Sequence, residues 1–207
     1  ITLEGERLAR LQSIGTRIVL IDRHLDVERG CSVAVDDVRG GFLAVDHLLS
    51  TPGRGIALVN GPHSILQCED RWSGSVAALR AAGGSEDDLM EITVDEMTVA
   101  AGVRAAFEIL DRGGPRRVFC INDQLATGVL EGFSRRGVTV PDAARVIGYG
   151  DLGLDGRHAL STIGQPKHAL GERAVELLLD ELEAGAEHTH SAQIFEPYLI
   201  VRESTSA

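Results

Sequence analysis

Residues 144–171 read "ARVIGYGDLGLDGRHALSTIGQPKHALG". Gly148, Gly150 and Gly153 spell G-x-G-x-x-G directly after the apolar run "RVIG". In a dinucleotide-binding unit that spelling needs a strand before it, a helix opening at the glycines, and an acid about 20 positions on, at the end of the next strand. Only the strand is present. Residues 154–166 hold Gly156, Gly164 and Pro166 with no sustained helical stripe, and Glu172 falls inside a predicted helix. A chain with 24 glycines produces the spelling easily by chance. The stretch therefore reads as strand then loop, and a nicotinamide dehydrogenase is set aside; no cofactor is expected.

Outward from this point the chain alternates strand and helix. "RIVLID" (17–22), "CSVAVDD" (31–37), "GIALVN" (55–60), "MEITVD" (90–95), "PRRVFCIN" (115–122) and "ARVIGYG" (144–150) are short apolar runs of strand type. Between them, 38–50, 70–83, 99–113 and 123–137 carry helical spacing, with Asp123 placed to cap the last. A long helix, 169–185, and an extended tail, 192–204, follow. Gly15 is suited to close a helix that is already under way when the chain begins, with Thr2 the one residue there of helix-entry type. Such alternation implies parallel sheets with right-handed crossovers, and runs such as "ALV" and "VFCI" suit strands covered on both faces. The long interval 151–168 lacks a clear element and reads as a domain crossing or functional loop.

The formal net charge of −11 over 207 residues repels a phosphate backbone, so these residues themselves are not expected to bind nucleic acid. Cys31, Cys68 and Cys120 stand far apart in or beside apolar stretches, which fits a reducing compartment and no disulfide framework. No apolar run approaches the ~20 residues of a membrane span, and no basic-then-apolar leader opens the chain. A cytoplasmic protein, read here from an internal starting point, is the expectation.

Several blocks in one order resemble the ligand-binding core of LacI-family transcription regulators, of the periplasmic-binding-protein type I group: "VLIDR" (19–23), "VAVDDVRGGFLAVDHLL" (33–49), "IALVNGP" (56–62), "RWSG" (71–74), "INDQLATGVL" (121–130), "GVTVPD" (137–142), "VIGYGD" (146–151), "STIGQ" (161–165) and "LIVREST" (199–205). The resemblance implies an α/β fold of two doubly wound parallel-sheet subdomains joined by a hinge. Residues 1–35 and 165–194 would be a partial N-subdomain, lacking a strand–helix–strand unit; 36–164 and 195–207 would be the C-subdomain. It further implies a small polar effector, a sugar or sugar derivative, held in the cleft between subdomains. A homodimer would contact operator DNA only through an N-terminal helix-turn-helix domain absent from this sequence. An extracytoplasmic sugar-binding protein of a transporter shares the fold and is the alternative.

Open parallel sheets bind ligands beyond the carboxyl ends of their strands. Asp22, Asn122 and Tyr149 follow or end such runs, and Gln165 sits at the suspected hinge. Arg71, at the start of the helix predicted over 70–83, matches the family's effector-gripping arginine. Its forked donors suit vicinal hydroxyls or an acid. A surface pairing with Glu69 or Asp70 is the plainer reading. Asn122 can equally be a turn residue before its helix, Asp22 can pair Arg23, and Gln165 can pack at the hinge. By resemblance Gln67 supplies a small polar contact. Met97 stands where many sugar-binding members carry an aromatic platform, and Gly150 where the family usually has an effector-binding Asp. Ile65 and Met97 occupy positions that in the purine-responsive branch are Arg and Phe, which disfavours a purine.

Neither G-x-S-x-G nor a phosphate-binding G-x-x-x-x-G-K-[ST] occurs, and no catalytic residues are expected: the chain reads as a binding protein rather than an enzyme. His188 and His190, beside Glu187, read as an exposed loop before the last extended segment rather than a metal site. His47 reads as a packed or surface imidazole, and "SEDDLMEITVDE" (85–96) as a solvated edge.

Overall fold

The structure, a computed structural model, describes residues 5–22, 30–153 and 159–206. Thr2, Arg23 and Gly156, named above, lie outside the described residues. The chain divides into two compact units, Ile1–Asp36 with Pro166–Phe195, and Asp37–Gln165 with Glu196–Ala207.

The larger, second unit is built on six strands in the order β4-β3-β5-β6-β7-β9. These are β3 (Ile56–Asn60), β4 (Leu89–Thr93), β5 (Arg117–Cys120), β6 (Arg145–Tyr149), β7 (Ser161–Gly164) and β9 (Tyr198–Ile200). β3 to β7 are mutually parallel, and β9 closes the far edge antiparallel to β7. Every residue of β3, β5 and β7 is buried, as expected of strands covered on both faces. Helix α2 (Asp37–Leu49) packs on α3 (Leu66–Ala81), and α4 (Val99–Asp111) on α5 (Asp123–Arg135). From β3 the chain moves outward to β4, then returns past β3 to β5 and β6. Right-handed crossovers in the two directions put α3 and α5 on opposite faces. The same reversal makes the gap between β3 and β5 a switch point, where the carboxyl ends of the strands open a crevice.

Helices α2 and α3 approach so closely that side chains at the crossing are excluded. A Cβ on Gly74 would lie 1.9 Å from the Val38 carbonyl oxygen, and one on Gly41 2.1 Å from that of Arg71. The tail locks the other edge. Ser204 Oγ donates to the Val146 carbonyl (2.6 Å) and accepts from the Ser161 amide (2.8 Å). Thr205 Oγ1 pairs with Ser161 Oγ and with His47 Nε2. Arg202 bridges Asp151 at 2.8 Å. The "VREST" block thus fastens β6, β7 and α2 together.

The first unit carries a three-stranded parallel sheet, β1-β2-β8, from β1 (Val19–Ile21), β2 (Cys31–Val35) and β8 (Ala192–Phe195). Helix α6 (Lys167–Ala184) packs on it through Leu170, Ala174 and Leu177, which meet Cys31, Val33 and Val35. Helix α1 (Gly5–Ser13) ends before Gly15, which adopts a φ of +82° as a helix-closing glycine does.

Three local readings are corrected. Helix α3 begins at Leu66, not near 70, so Arg71 stands in its second turn rather than at its start. The interval 151–168 contains β7, a buried four-residue strand too short for its own periodicity to show. The tail 192–204 is two strands, β8 and β9, in different sheets, broken at Glu196-Pro197. The acidic stretch 85–96 does lie at a sheet edge, on β4. After β6 the chain turns at Gly150 (φ +122°) and Asp151 (φ +51°), and no helix opens at the glycines among the described residues.

Candidate functional site

Because β3 to β7 run parallel, residues just past each strand share one rim of the second unit. Gln67 follows β3 in the first turn of α3, Met97 follows β4, Asn122 follows β5, Tyr149 ends β6 and Gln165 follows β7. Arg71 reaches this rim from α3. Its Nη1 donates to the Ile121 carbonyl (2.6 Å), one residue from Asn122. Nε and Nη2 both donate to Asp37 Oδ1, at 2.9 and 2.8 Å. The guanidinium lies 3.6 Å above the centroid of the Tyr149 ring, a cation–π stack. The Tyr149 hydroxyl donates to the same Asp37 oxygen at 2.7 Å. The partner of Arg71 is therefore Asp37, not Glu69 or Asp70.

This is a desolvated ion pair: the Arg71 and Asp37 side chains are only 11% and 10% exposed. Burial works against the charged guanidinium, but Asp37 and Tyr149 outweigh it and hold Arg71 above the ordinary arginine value. Burial, with Asp37 beside it, raises the Tyr149 phenol far out of reach of physiological pH. Tyr149, 2% exposed, is thus a fixed neutral platform under Arg71. Gly40 makes room for it, since a Cβ there would run into the phenol. Among the described residues, three acceptor contacts leave part of the five-donor guanidinium fork for other partners.

Asn122 caps α5, its Oδ1 accepting from the Leu125 amide at 2.8 Å. What it can offer a ligand is the Nδ2 donor pair. Asp123 is not the cap: its carboxylate accepts from Thr162 Oγ1 and the Leu152 amide, both at 2.7 Å, and fixes the turn after β6. Gly148 owes its place to this carboxylate, because a Cβ would lie 2.3 Å from Asp123 Oδ1. Met97 packs at the end of β3, where a Cβ on Gly61 would meet its sulfur at 3.2 Å. His63, held above the ordinary histidine value by its hydrogen bond to Glu69, also bonds Glu91 of β4. Asp22, in the first unit, is exposed at the carboxyl end of β1 with φ +60°.

Asp37 and His63 went unread in the sequence. Asp37 left one signal, an acid at the junction of a buried strand and a helix start in "VAVDD". A cavity of about 500 Å³ lies at the other, amino end of this sheet, lined by Gly53, Arg54, Met90 and Arg116 among others, away from these side chains.

A second polar cluster occupies the first unit. His188 and His190 are not an exposed loop: they are half-buried against Cys31, together with Glu181 of α6. Among the described residues, these four are the group that could hold a metal ion.

The periplasmic binding protein-like domain family matches residues 45–205. The chain is 33% identical over 180 residues to the HTH-type transcriptional repressor CytR of Escherichia coli (strain K12), spanning 85% of this chain and 52% of that protein. It is 31% identical over 170 residues to the HTH-type transcriptional repressor PurR of Photobacterium profundum, spanning 80% and 50%. The chain thus spans about half the length of these curated relatives. A LacI family transcriptional regulator from Enterococcus faecium, solved with bound ribose, superposes with a TM-score of 0.90 at 27% identity, over 99% of this chain and 76% of that one. A regulator–cellobiose complex superposes at 0.81 with 25% identity, over 97% and 71%. No helix among the described residues is long and apolar enough to cross a membrane. A family match over most of the chain, on a sheet topology that provides the expected rim, settles the assignment: the chain belongs to the periplasmic binding protein-like domain family and corresponds to the effector-binding core of LacI-family transcription regulators.

Proposed function

We propose that this core binds a sugar or sugar derivative on the rim at the carboxyl ends of β3 to β7, and that it serves a cytoplasmic, homodimeric, DNA-binding regulator rather than an enzyme. The observation that carries the reading is Arg71. It is stacked on Tyr149, anchored by Asp37 and aimed at the end of β5 beside Asn122. A guanidinium locked in one orientation before ligand arrives loses little entropy on binding hydroxyls, which is how a preorganised donor gains affinity. The ribose and cellobiose carried by structural relatives support a carbohydrate class. Gln67, Met97, Gln165 and Asp22 are the further candidate contacts, and Gly150 leaves the site without the acid that the family places there.

In this reading residues 1–35 with 165–194 form one subdomain, and 36–164 with 195–207 the other. Effector shifts a hinge equilibrium through its differential affinity for the two states. DNA contact belongs to a part of the regulator outside this chain, consistent with the −11 charge of the chain itself. That the named relatives are regulators favours this over a transporter's binding protein.

Isothermal calorimetry against ribose, other monosaccharides, disaccharides and sugar phosphates tests the reading. One class should bind, and Arg71→Lys, which keeps the charge against Asp37 but loses the fork, should weaken it by about 1.5–3 kcal/mol. Binding that is indifferent to both Arg71→Lys and Asn122→Ala would remove the rim from consideration.

A further inference from the structure

The cluster in the first unit consists of Cys31 at the start of β2, Glu181 in the last turn of α6, and His188 and His190 on the segment leading into β8. We propose that these four side chains form a structural binding site for a divalent transition-metal ion of the zinc class, independent of the effector site.

Four observations point there. All four donor atoms lie within 4.8 Å of one another. Cys31 Sγ is 3.1 Å from His188 Nε2 and 3.6 Å from His190 Nδ1. A tetrahedral ion with ordinary zinc–sulfur and zinc–nitrogen bonds separates those atoms by about 3.6 Å. The sulfur is fully buried, and the Glu181 side chain is only 7% exposed. Finally, Glu181 Oε2 is a buried oxygen with no hydrogen-bond partner among the described residues; its other oxygen faces Arg17 at 3.6 Å.

Hydrogen bonding alone does not account for this arrangement. A thiol sulfur can donate to one imidazole nitrogen and accept an N–H from the other, but those two contacts leave Glu181 Oε2 without a partner among the described residues. The buried carboxylate oxygen would stay unpaired, at a desolvation cost proteins rarely accept. One cation answers the sulfur, both nitrogens and the oxygen together. The donor set selects its chemistry: a thiolate and two imidazoles suit zinc, cobalt or nickel, whereas calcium and magnesium take oxygen ligands. The ion would join strand, helix and the entry to β8, the elements of a unit whose buried core is otherwise small. Metal bound only by the folded form adds its binding free energy to folding.

Cobalt(II) is the probe. Added to the reduced, chelator-stripped protein, it should bind at one equivalent with thiolate-to-cobalt charge-transfer absorption and the intense visible bands of a tetrahedral site, displaced by zinc. Cys31→Ser should abolish the charge-transfer band, while Cys68→Ala and Cys120→Ala retain it. His188→Gln and His190→Gln, which alter half-buried positions, guard against a folding failure of the Cys31 variant. Each should weaken cobalt binding at least about tenfold, since even loss of an outer-shell partner commonly costs that much. Zinc should raise the unfolding temperature of the parent protein and not of the histidine variants. Absence of the thiolate band in the folded parent overturns the site, as does a band that survives Cys31→Ser or an affinity unchanged by both histidine substitutions; the cluster is then a thiol–imidazole contact only.

Discussion

Asp37 receives three donors on one oxygen, and its loss should be felt more in folding than its exposed neighbours suggest. In Asp37→Ala, Arg71 keeps its charge, its burial and its stack on Tyr149, but has no counter-ion. Stranding one member of a buried pair typically costs about 3–5 kcal/mol. Denaturant unfolding should show a loss in that range. Asp37→Asn, which keeps an acceptor oxygen, should fall between it and the parent. A loss below about 1 kcal/mol would mean that the pair behaves like a surface ion pair. At this scale the sequence showed half of the pair. Arg71 stood out because it matches the effector-gripping arginine of the family it resembles and its forked donors suit hydroxyls or an acid. Its partner did not, because no periodicity says which acid a guanidinium meets 34 positions away. Cys31 and the two histidines failed for the same reason: 157 residues separate Cys31 from His188, and only the pairing of β2 with β8 brings them together.

What places Arg71 is the crossing of α2 and α3, and that crossing depends on Gly41 and Gly74. A methyl at Gly74 would sit 1.9 Å from the Val38 carbonyl, a backbone atom that cannot swing aside. The helices must then separate, which lifts Arg71 from Asp37, an α2 residue. Gly74→Ala should therefore destabilise by at least the 1–3 kcal/mol usual for overpacking, despite the gain in helix propensity. In thermal unfolding, a variant as stable as the parent would show that the contact can relax. The elements themselves were mostly legible, since buried parallel strands and amphipathic helices carry strong patterns. The errors fell where no pattern is required. The start of α3 lacks a capping side chain, Ile65 making no cap bond, so the helix reads as opening later, near 70. β7 is four buried residues ending in glycine. Asn122, not Asp123, caps α5, a one-residue ambiguity when two capping residues adjoin.

Across the whole molecule, apolar burial is divided unevenly. The alternation of strand and helix predicted the α/β class, but it carried no information on how much core each sheet would own. The second unit has a continuous core through β3, β5, β6 and four helices, including fully buried Phe119, Phe133, Ile121 and Ile147. The first unit buries Cys31, Val33, Val35, Leu170, Ala174 and Leu177, while Val175, Leu179 and Leu182 of α6 stay more than half exposed. Hydrophobic stabilisation scales with apolar area removed from water, so local opening should be far easier in the first unit. Native-state hydrogen exchange should find the amides of β2 and α6 exchanging through sub-global openings, while those of β3, β5 and β6 exchange only on global unfolding. Zinc should slow the first set and leave the second unchanged, because an ion held by Cys31, Glu181, His188 and His190 binds only when β2, α6 and the entry to β8 are in place. Uniform protection across both sheets would show that the chain opens as one cooperative body and that the small core is not the weak point. A sugar effector gripped by Arg71 and Asn122 should instead bear first on the second unit, so the two ligands are distinguishable by which strands they protect.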